Sequence, residues 1–433
     1  MSGDFVVKTV SIKLNPTQPQ REELEQLFEA ARAGVNFCLP RIERLAVEAE
    51  ARGEGFGRFT AAGRLHSTRG RSVPWDDDLT KFVHIPLKTH YDSIVNQAFS
   101  IWRSYRGWVR RREAERRRLQ RQVDAEADER LQAALRRRLK RLRPVSFPAF
   151  RGGSMLIHKS LLSVKEDAVH LSIWSRRSSF DYYGKDYLRP YIRQLEAEKQ
   201  QPRAYLIRRG GDYYLQLPLR VPIPSYMPGN LTFAVSFGVR KVAAIAFEGE
   251  EVRGVRFFPV TELRRRKDRF FSKRRALTTL HGGETERELK GRRRKVKAMR
   301  GREAAFVKTF NHQLTRRIVN HVKQLRGRIA FIDFSGIRRV KYGDPKLNRT
   351  LSGWGVKQQQ ALLTHKAALE GIPIQTVPYT RVKEFRCSRC GKTFKSTLTQ
   401  ILIGAQQFKC PSCGYEVNWH VNLAKNIMVT LKK

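Results

Sequence analysis

Four cysteines near the carboxy terminus constrain this chain more than any other feature. Cys387 and Cys390 form one Cys-x-x-Cys pair and Cys410 and Cys413 a second, each followed at once by a glycine, Gly391 or Gly414. One tight turn per pair offers two sulfurs on the same side, and the glycine turns the backbone without a side-chain clash. Two such knuckles supply the four thiolates of a tetrahedral zinc site. The alternative, four unligated buried thiols, fits poorly with paired spacing in a chain whose only other cysteine is Cys38. The expectation is a structural zinc ribbon over residues 384–416, with one zinc per chain.

The charge sets the partner. The chain has 433 residues and 40% hydrophobic content, enough for two or three domains with their own cores. It carries 86 Lys+Arg against 40 Asp+Glu, a formal net charge of +46. Such an excess repels itself unless a polyanion neutralises it, so nucleic acid is the expected partner. A membrane-surface role is disfavoured, because no apolar run approaches the ~20 residues that span a bilayer and no amphipathic anchor opens the chain. No charged-then-apolar leader is visible at the amino terminus, and a lone Cys38 beside the four knuckle cysteines suits a reducing cytosol. The expected location is cytoplasmic, with no membrane partner.

Residues 4–14 alternate as a strand, closed by Asn15-Pro16; Thr17 is a helix N-cap, and Leu24, Leu27, Phe28 and Ala31 follow with helical spacing. Residues 50–80 are polar, contain glycine and read as loop. Helical spacing resumes over 85–108 and continues through an arginine-rich stretch to Arg143, in which Leu119, Val123, Ala127, Leu131, Leu135, Leu139 and Leu142 form a thin apolar stripe. An acidic middle (Asp124, Glu126, Asp128, Glu129) divides it, which fits a helical hairpin or one long helix. Its arginines, among them Arg110, Arg111, Arg112, Arg116 and Arg117, have two readings: a solvated face balanced by ion pairs, or a phosphate-contacting lining. Strand-like runs at 160–164, 168–174, 203–208 and 212–219 then suggest a small β-barrel together with the first strand, and Pro218, Pro222, Pro224 and Pro228 a stiff linker.

The residues just after the ribbon carry a resemblance. Asn418-Trp419-His420-Val421-Asn422-Leu423-Ala424-Lys425-Asn426-Ile427 is similar to the closing motif of the transposon-encoded TnpB nucleases and the related type V CRISPR effectors, where an aspartate precedes x-N-A-A-x-N-I. Pro16, Thr17, Gln20, Leu24, Phe28 and Asn36 fall as in the family's opening, and 351–379 resembles its helix and strand before the ribbon. The likeness runs through nearly the whole chain in order, specific over 231–431 and weaker over 50–230.

The resemblance implies an α/β multidomain chain: an RNase H-like (RuvC) domain with an inserted zinc ribbon, preceded by a small β-barrel (wedge) domain carrying a helical recognition insertion. The implied boundaries are 1–14 for the first wedge strand, 15–144 for the recognition helices, 145–229 for the wedge barrel and linker, 230–383 for the RuvC-like domain, 384–416 for the ribbon and 417–433 for the closing segment. It also implies three carboxylates that hold catalytic metal, and here the chain departs from the family. Ser236 stands where the first aspartate belongs, and His420 where the last does. In the motif around Arg328–Phe334, alignment on Ser335-Gly336-Ile337 places Ile332 at the glutamate and Asp333 on the residue after it. Sliding by one residue would turn the side chain to the other face of the strand.

Ser236, Ile332 and His420 supply no charge to clamp two divalent ions, so no catalytic magnesium is expected. What the resemblance leaves is an RNA-guided DNA-binding protein without nuclease activity. Guide RNA and double-stranded target DNA would be its partners, with transcription machinery or another protein as a further one, and repression its output. Nucleic-acid contacts are expected from Arg110, Arg111, Arg112, Arg116, Arg117, Arg338, Arg339, Lys341, Arg381 and Lys383. The alternatives are an active nuclease with ligands relocated to Asp333, Asp344 or Glu416, and a transposition or transcription accessory acting through a protein.

Overall fold

The computed structural model describes residues 5–68, 70–174, 176–198, 203–238, 241–279, 285–334, 355–378, 384–395 and 407–431. The chain divides into two compact units, Val7–Arg220 and Val221–Lys433, the second taking in the first few residues as well.

In the first unit, strand β1 (Phe5–Asn15) leads into a long helix α1 (Gln18–Ala51). Thr17 caps that helix, and its backbone N–H donates to Gln20 Oε1 at 3.0 Å. The apolar positions read from the sequence bury: Leu24, Leu27, Phe28 and Ala31 are all fully enclosed. Where a loop was expected, helix α2 (Arg58–Leu65), a 3-10 turn (Trp75–Asp77) and a short helix α3 (Leu79–Phe82) appear. Only Ala61 and Leu65 of α2 are buried, so its sequence carries little periodic signal; packing against α1 and the long helix that begins at Thr89 holds it.

Helix α4 (Thr89–Asp124) and helix α5 (Glu129–Lys140) form a hairpin, which resolves the choice between hairpin and single helix. Asp128, in the acidic turn, accepts from the N–H groups of Arg130 and Leu131 and starts α5. The expected leucine stripe is only partly buried. Leu119 and Val123 are enclosed, while Leu131 is 54% exposed.

Strands β2 (Ser154–Ile157), β3 (Leu162–Val164), β4 (Val169–Ser172), β5 (Arg177–Tyr183), β6 (Ala204–Arg209) and β7 (Asp212–Pro222) join β1 in one seven-stranded sheet. Helix α6 (Lys185–Ala197) follows β5. The order β2-β6-β7-β1-β5-β4-β3 places β2 and β3 at the two ends, so among the described residues the sheet is a half-barrel and not the closed barrel expected. Residues 159–161 form a 3-10 turn before β3, and Pro218 and Pro222 belong to β7, not to the linker.

The second unit is built on a five-stranded sheet of order β10-β9-β8-β11-β12. Strands β8 (Leu231–Phe237), β9 (Lys241–Glu248) and β10 (Glu251–Pro259) form an antiparallel meander; β11 (Arg328–Asp333) runs parallel to β8, and β12 (Ile374–Pro378) parallel to β11. Helices α7 (Thr261–Thr278) and α8 (Glu286–Gln324) pack on each other; residues 280–284, between them, lie outside the described residues. The carboxy-terminal part of α8, helix α9 (Val356–Leu369) and helix α10 (Trp419–Leu431) cover the sheet through Leu314, Ile318, Val322, Leu363, Leu423 and Ile427. Two hairpins, β13 (Glu384–Arg386) with β14 (Thr393–Lys395) and β15 (Gln407–Lys409) with β16 (Glu416–Asn418), precede α10. Among the described residues, no helix is long and apolar enough to cross a membrane.

Candidate functional site

Each cysteine pair sits in the same small turn. The N–H of Gly391 donates to the carbonyl of Cys387 at 2.9 Å, and the N–H of Gly414 to that of Cys410 at 3.0 Å. Both glycines have positive φ, 71° and 68°, a conformation that other residues adopt only with strain. The turns bring four sulfurs together: Cys387 and Cys413 are 3.7 Å apart, Cys390 and Cys410 likewise, and all four lie within 4.8 Å of one another. Sulfurs at ~2.3 Å from a central tetrahedral ion would be about 3.8 Å apart, so the donor set fits zinc.

The acid–base balance of the cluster favours a cation as well. Desolvation pushes the Cys410 thiol up, but the N–H groups of Cys413 and Ser412 outweigh it and bring it down to about 6. The Tyr415 N–H draws Cys413 down, yet desolvation and the neighbouring sulfurs prevail and push it up to about 12. Packed thiols can give up one proton readily, but not all of them, without a positive charge among them.

The knuckles are tied to α10 by the asparagines of the closing motif. Asn422 Oδ1 accepts from Ser388 N at 3.0 Å, and Asn422 and Asn426 both donate to the carbonyl of Arg386, at 3.3 and 2.6 Å. Asn418 Oδ1 accepts from His420 N at 3.0 Å and opens the helix. Phe408 packs on Trp419, with ring centroids 5.3 Å apart. This polar seam holds the first knuckle and α10 in one geometry, and it brings His420 to the sheet.

There His420 meets Ser236. The two side chains are hydrogen-bonded, Oγ to Nδ1 at 2.8 Å, and Ser236 is only 2% exposed. Burial, and then the Lys241 cation, pull the imidazole down to about 4, so it is neutral at physiological pH. Gly238 leaves no room for anything larger: a Cβ there would fall 2.6 Å from both His420 Cε1 and the carbonyl oxygen of Lys241. Phe257 closes a further side, edge-on to the imidazole, with Lys241 above its ring at 4.0 Å.

Ile332 joins them by register. β11 pairs with β8 as Arg328↔Thr232, Ile329↔Phe233 and Ala330↔Ala234; two residues further on, Ile332 stands level with Ser236 and on the same face. Its side chain is buried in the core. Asp333, one residue on, projects to the opposite face. The end of β11 is fixed by Gln360 of α9, which donates to the carbonyl of Ile332 and accepts from the N–H of Phe334 at 3.2 Å. Beside it, Asn311 of α8 donates to Gln358 at 2.7 Å and accepts from Gln359 at 3.1 Å. Sequence reasoning missed these glutamines, although three in a row on a helix that also carries Leu362 and Leu363 were a signal of buried polar work.

The structure thus brings Ser236, Ile332 and His420 to one place and offers there a hydroxyl, a hydrocarbon and a neutral imidazole. Hard divalent cations take oxygen ligands, mostly anionic, and these three do not fit such an ion. Of the relocated ligands considered, Glu416 lies on the β15–β16 hairpin paired with Lys409 at 2.8 Å, and Asp344 lies outside the described residues.

Arg110, Arg111, Arg112, Arg116 and Arg117 are exposed on the second half of α4. Arg111 donates back to the carbonyl of Gly107 at 3.0 Å, and Arg112 approaches Glu115 at 4.0 Å. Arg338, Arg339, Lys341, Arg381 and Lys383 lie outside the described residues.

Comparison with known proteins returns the class of protein that the motifs suggested. Residues 357–427 match the Cas12f1-like TNB domain family, a stretch that runs from α9 through the two cysteine-bearing hairpins into α10. The chain is 31% identical over 135 residues to the CRISPR-associated endodeoxyribonuclease Cas12f1 of Sulfoacidibacillus thermotolerans, a match spanning 31% of this chain and 29% of that relative. Solved structures aligned with it include a Cas12f1–sgRNA–target DNA complex (13% identity, 98% of this chain and 99% of that one, TM-score 0.36). Another is CasPhi-2 (Cas12j) bound to crRNA (10% identity, 100% and 98% covered, TM-score 0.48). At the level of sequence the likeness is to Cas12f1 proteins, over residues 357–427 for the family and over 135 residues for the relative.

Proposed function

We propose that this protein is an RNA-guided DNA-binding protein that does not cut its target. Guide RNA pairs with the target strand, while the protein reads backbone shape and a short flanking duplex motif. The observation that carries the reading is the Ser236–His420 hydrogen bond, 2.8 Å long, made by two residues at carboxylate positions of the family and level with the third, Ile332. A two-metal phosphodiesterase holds its ions between carboxylates about 4 Å apart. The sheet order β10-β9-β8-β11-β12, three strands antiparallel and two parallel, supports an RNase H-like (RuvC) scaffold retained for binding. Cys387, Cys390, Cys410 and Cys413 would hold one zinc, whose part is purely structural. Bound and uncut, the opened duplex would be closed to polymerase, and repression of transcription is the proposed output.

The test uses purified protein with its co-purifying RNA, sequenced to identify the guide. The complex binds and opens a matching duplex and leaves both strands intact in Mg²⁺ or Mn²⁺. Ser236→Asp alone does not rescue cutting; Ser236→Asp, Ile332→Glu and His420→Asp together are the smallest set that could. Guide-dependent cleavage by the unmodified protein overturns the nuclease-dead reading, and failure to bind guide-matched DNA overturns the larger one.

A further inference from the structure

We propose that a cleft beside Trp75, in the first unit, binds an unpaired nucleotide, with the base stacked on the indole and the phosphates met by Lys81, Lys88 and Arg71. The inference rests on the nucleic-acid reading above and adds to it one site and one chemical class.

The cleft has a volume of about 990 Å³ and is lined by Arg71, Trp75, Lys81, His84, Lys88 and Tyr91 among others. Trp75 is 71% exposed, an unusual position for the largest apolar side chain. Its exposure is not the looseness of a free loop, because the 3-10 turn that carries it is pinned from both sides. Arg41, stacked 3.5 Å from the centroid of Phe37, donates to the carbonyl of Asp76 at 2.9 Å and pairs with the Asp77 carboxylate at 3.3 Å. Arg44 holds the same carboxylate at 2.5 Å. At the root of the turn Asp78, 2% exposed, accepts from Ser67 N at 3.1 Å, Thr80 N at 3.0 Å and Thr80 Oγ1 at 2.8 Å. An exposed indole on a fixed turn is preorganised for a flat partner.

The surrounding charge selects the kind of partner. Of the three consecutive aspartates, Asp77 and Asp78 are engaged, and Asp76 alone is exposed. Against it stand three cations. Lys81 Nζ lies 5.1 Å from the indole centroid, above the ring where a base would slide in beside it. Lys88 is exposed at the cleft, at the start of α4. Arg71 is anchored through Nη2 to the carbonyls of Ala62 and His66, at 3.4 and 3.2 Å, so its remaining N–H groups are held in place. A π-face flanked by fixed cations is the platform on which single-stranded nucleic acid stacks its bases and tracks its backbone. A base inside a duplex has no free face to offer.

Stacking and phosphate contacts respond differently to salt, which makes the proposal testable on the full-length protein freed of RNA. The probes are short oligothymidylate and oligouridylate, an abasic oligomer of the same length and a blunt duplex, titrated by fluorescence anisotropy over a range of salt. Trp75→Ala should weaken both base-bearing oligomers about tenfold, by the same factor at every salt concentration, and Trp75→Phe should restore most of the loss. The abasic oligomer and the duplex should bind Trp75→Ala as they bind wild type. Lys81→Gln with Lys88→Gln should instead flatten the salt dependence, lowering its slope by roughly one to two. The stronger of the two oligomers identifies a DNA or an RNA strand as the source of the nucleotide; equal binding assigns the site to both. If Trp75→Ala binds the base-bearing oligomers as wild type does, or loses the abasic oligomer and the duplex equally, the site is not a stacking platform. Wild type that binds no oligomer or duplex at low salt removes the nucleic-acid reading itself.

Discussion

A buried imidazole is a pH-dependent element of stability, and the sign follows from where His420 sits. Unfolded, it takes up its proton near its ordinary value of 6.5; folded, it holds out to about 4. Between those values the unfolded chain binds more protons, so stability is fully present above the unfolded value and is lost as pH falls through the folded one. The span corresponds to something on the order of 3 kcal/mol. Urea unfolding between neutral pH and about pH 4 should show this loss in wild type and a flatter profile in His420→Asn. Ser236→Ala should cost about 1–3 kcal/mol at neutral pH, because it leaves a buried ring nitrogen without a partner. Lys366 behaves in the opposite window. Burial and then Arg316 pull it down to about 8 from 10.5, and its amine donates to Thr315 Oγ1 at 3.0 Å. Its contribution to stability therefore rises as pH climbs from 8 towards 10.5.

Elements are joined here by short polar seams, and these decide what a single substitution breaks. Replacing Cys410 with Ser should release the zinc and, through Ser388 and Arg386, loosen the knuckle from α10. Metal analysis of wild type should find about one zinc per chain, and finding none in protein purified without chelator rejects the ribbon. Asn422→Ala should leave the zinc bound yet speed hydrogen exchange across 384–395, since the knuckle keeps its metal and loses its tether. Much of this level was legible in the sequence. The cysteine spacing and its glycines were enough to expect the knuckles, and the alternating start and Thr17 marked β1 and the head of α1. What the sequence concealed is instructive. Helix α2 buries only Ala61 and Leu65, so no period marks it, and tertiary packing makes it a helix. The glutamine run of α9 was given no role from the sequence, while Gln359 and Gln360 are 2% and 6% exposed and spend their amides on Asn311 and the end of β11. The Ser236–His420 pair was visible as two separate departures from a motif; that they satisfy each other needed coordinates.

For the molecule as a whole, the ruling quantity is the formal net charge of +46, and the question is which cations meet phosphate. Ion pairs take up some: Arg106 is bound to Glu43 and Glu50, Arg316 and Lys323 to Glu370, and Arg274 to Glu303. The second half of α4 is different, since its arginines outnumber the carboxylates in reach and stand exposed along the helix. Each phosphate neutralised on binding releases counterions, so log affinity falls linearly with log salt, by roughly 0.9 per phosphate on duplex and 0.7 on single strands. Replacing Arg110, Arg111 and Arg112 with Ala should thus flatten the salt dependence of guide RNA or target DNA binding in proportion to the phosphates that these side chains neutralise. Arg111 bends back onto Gly107 and Arg112 leans toward Glu115, so among the described residues Arg110 alone of the three starts uncommitted. The expected change in slope is about one to two, short of the full value for three phosphates. Stability should hold, because no buried group depends on these side chains. An unchanged slope with unchanged folding would return the α4 arginines to a solvated face and leave phosphate recognition to other parts of the chain.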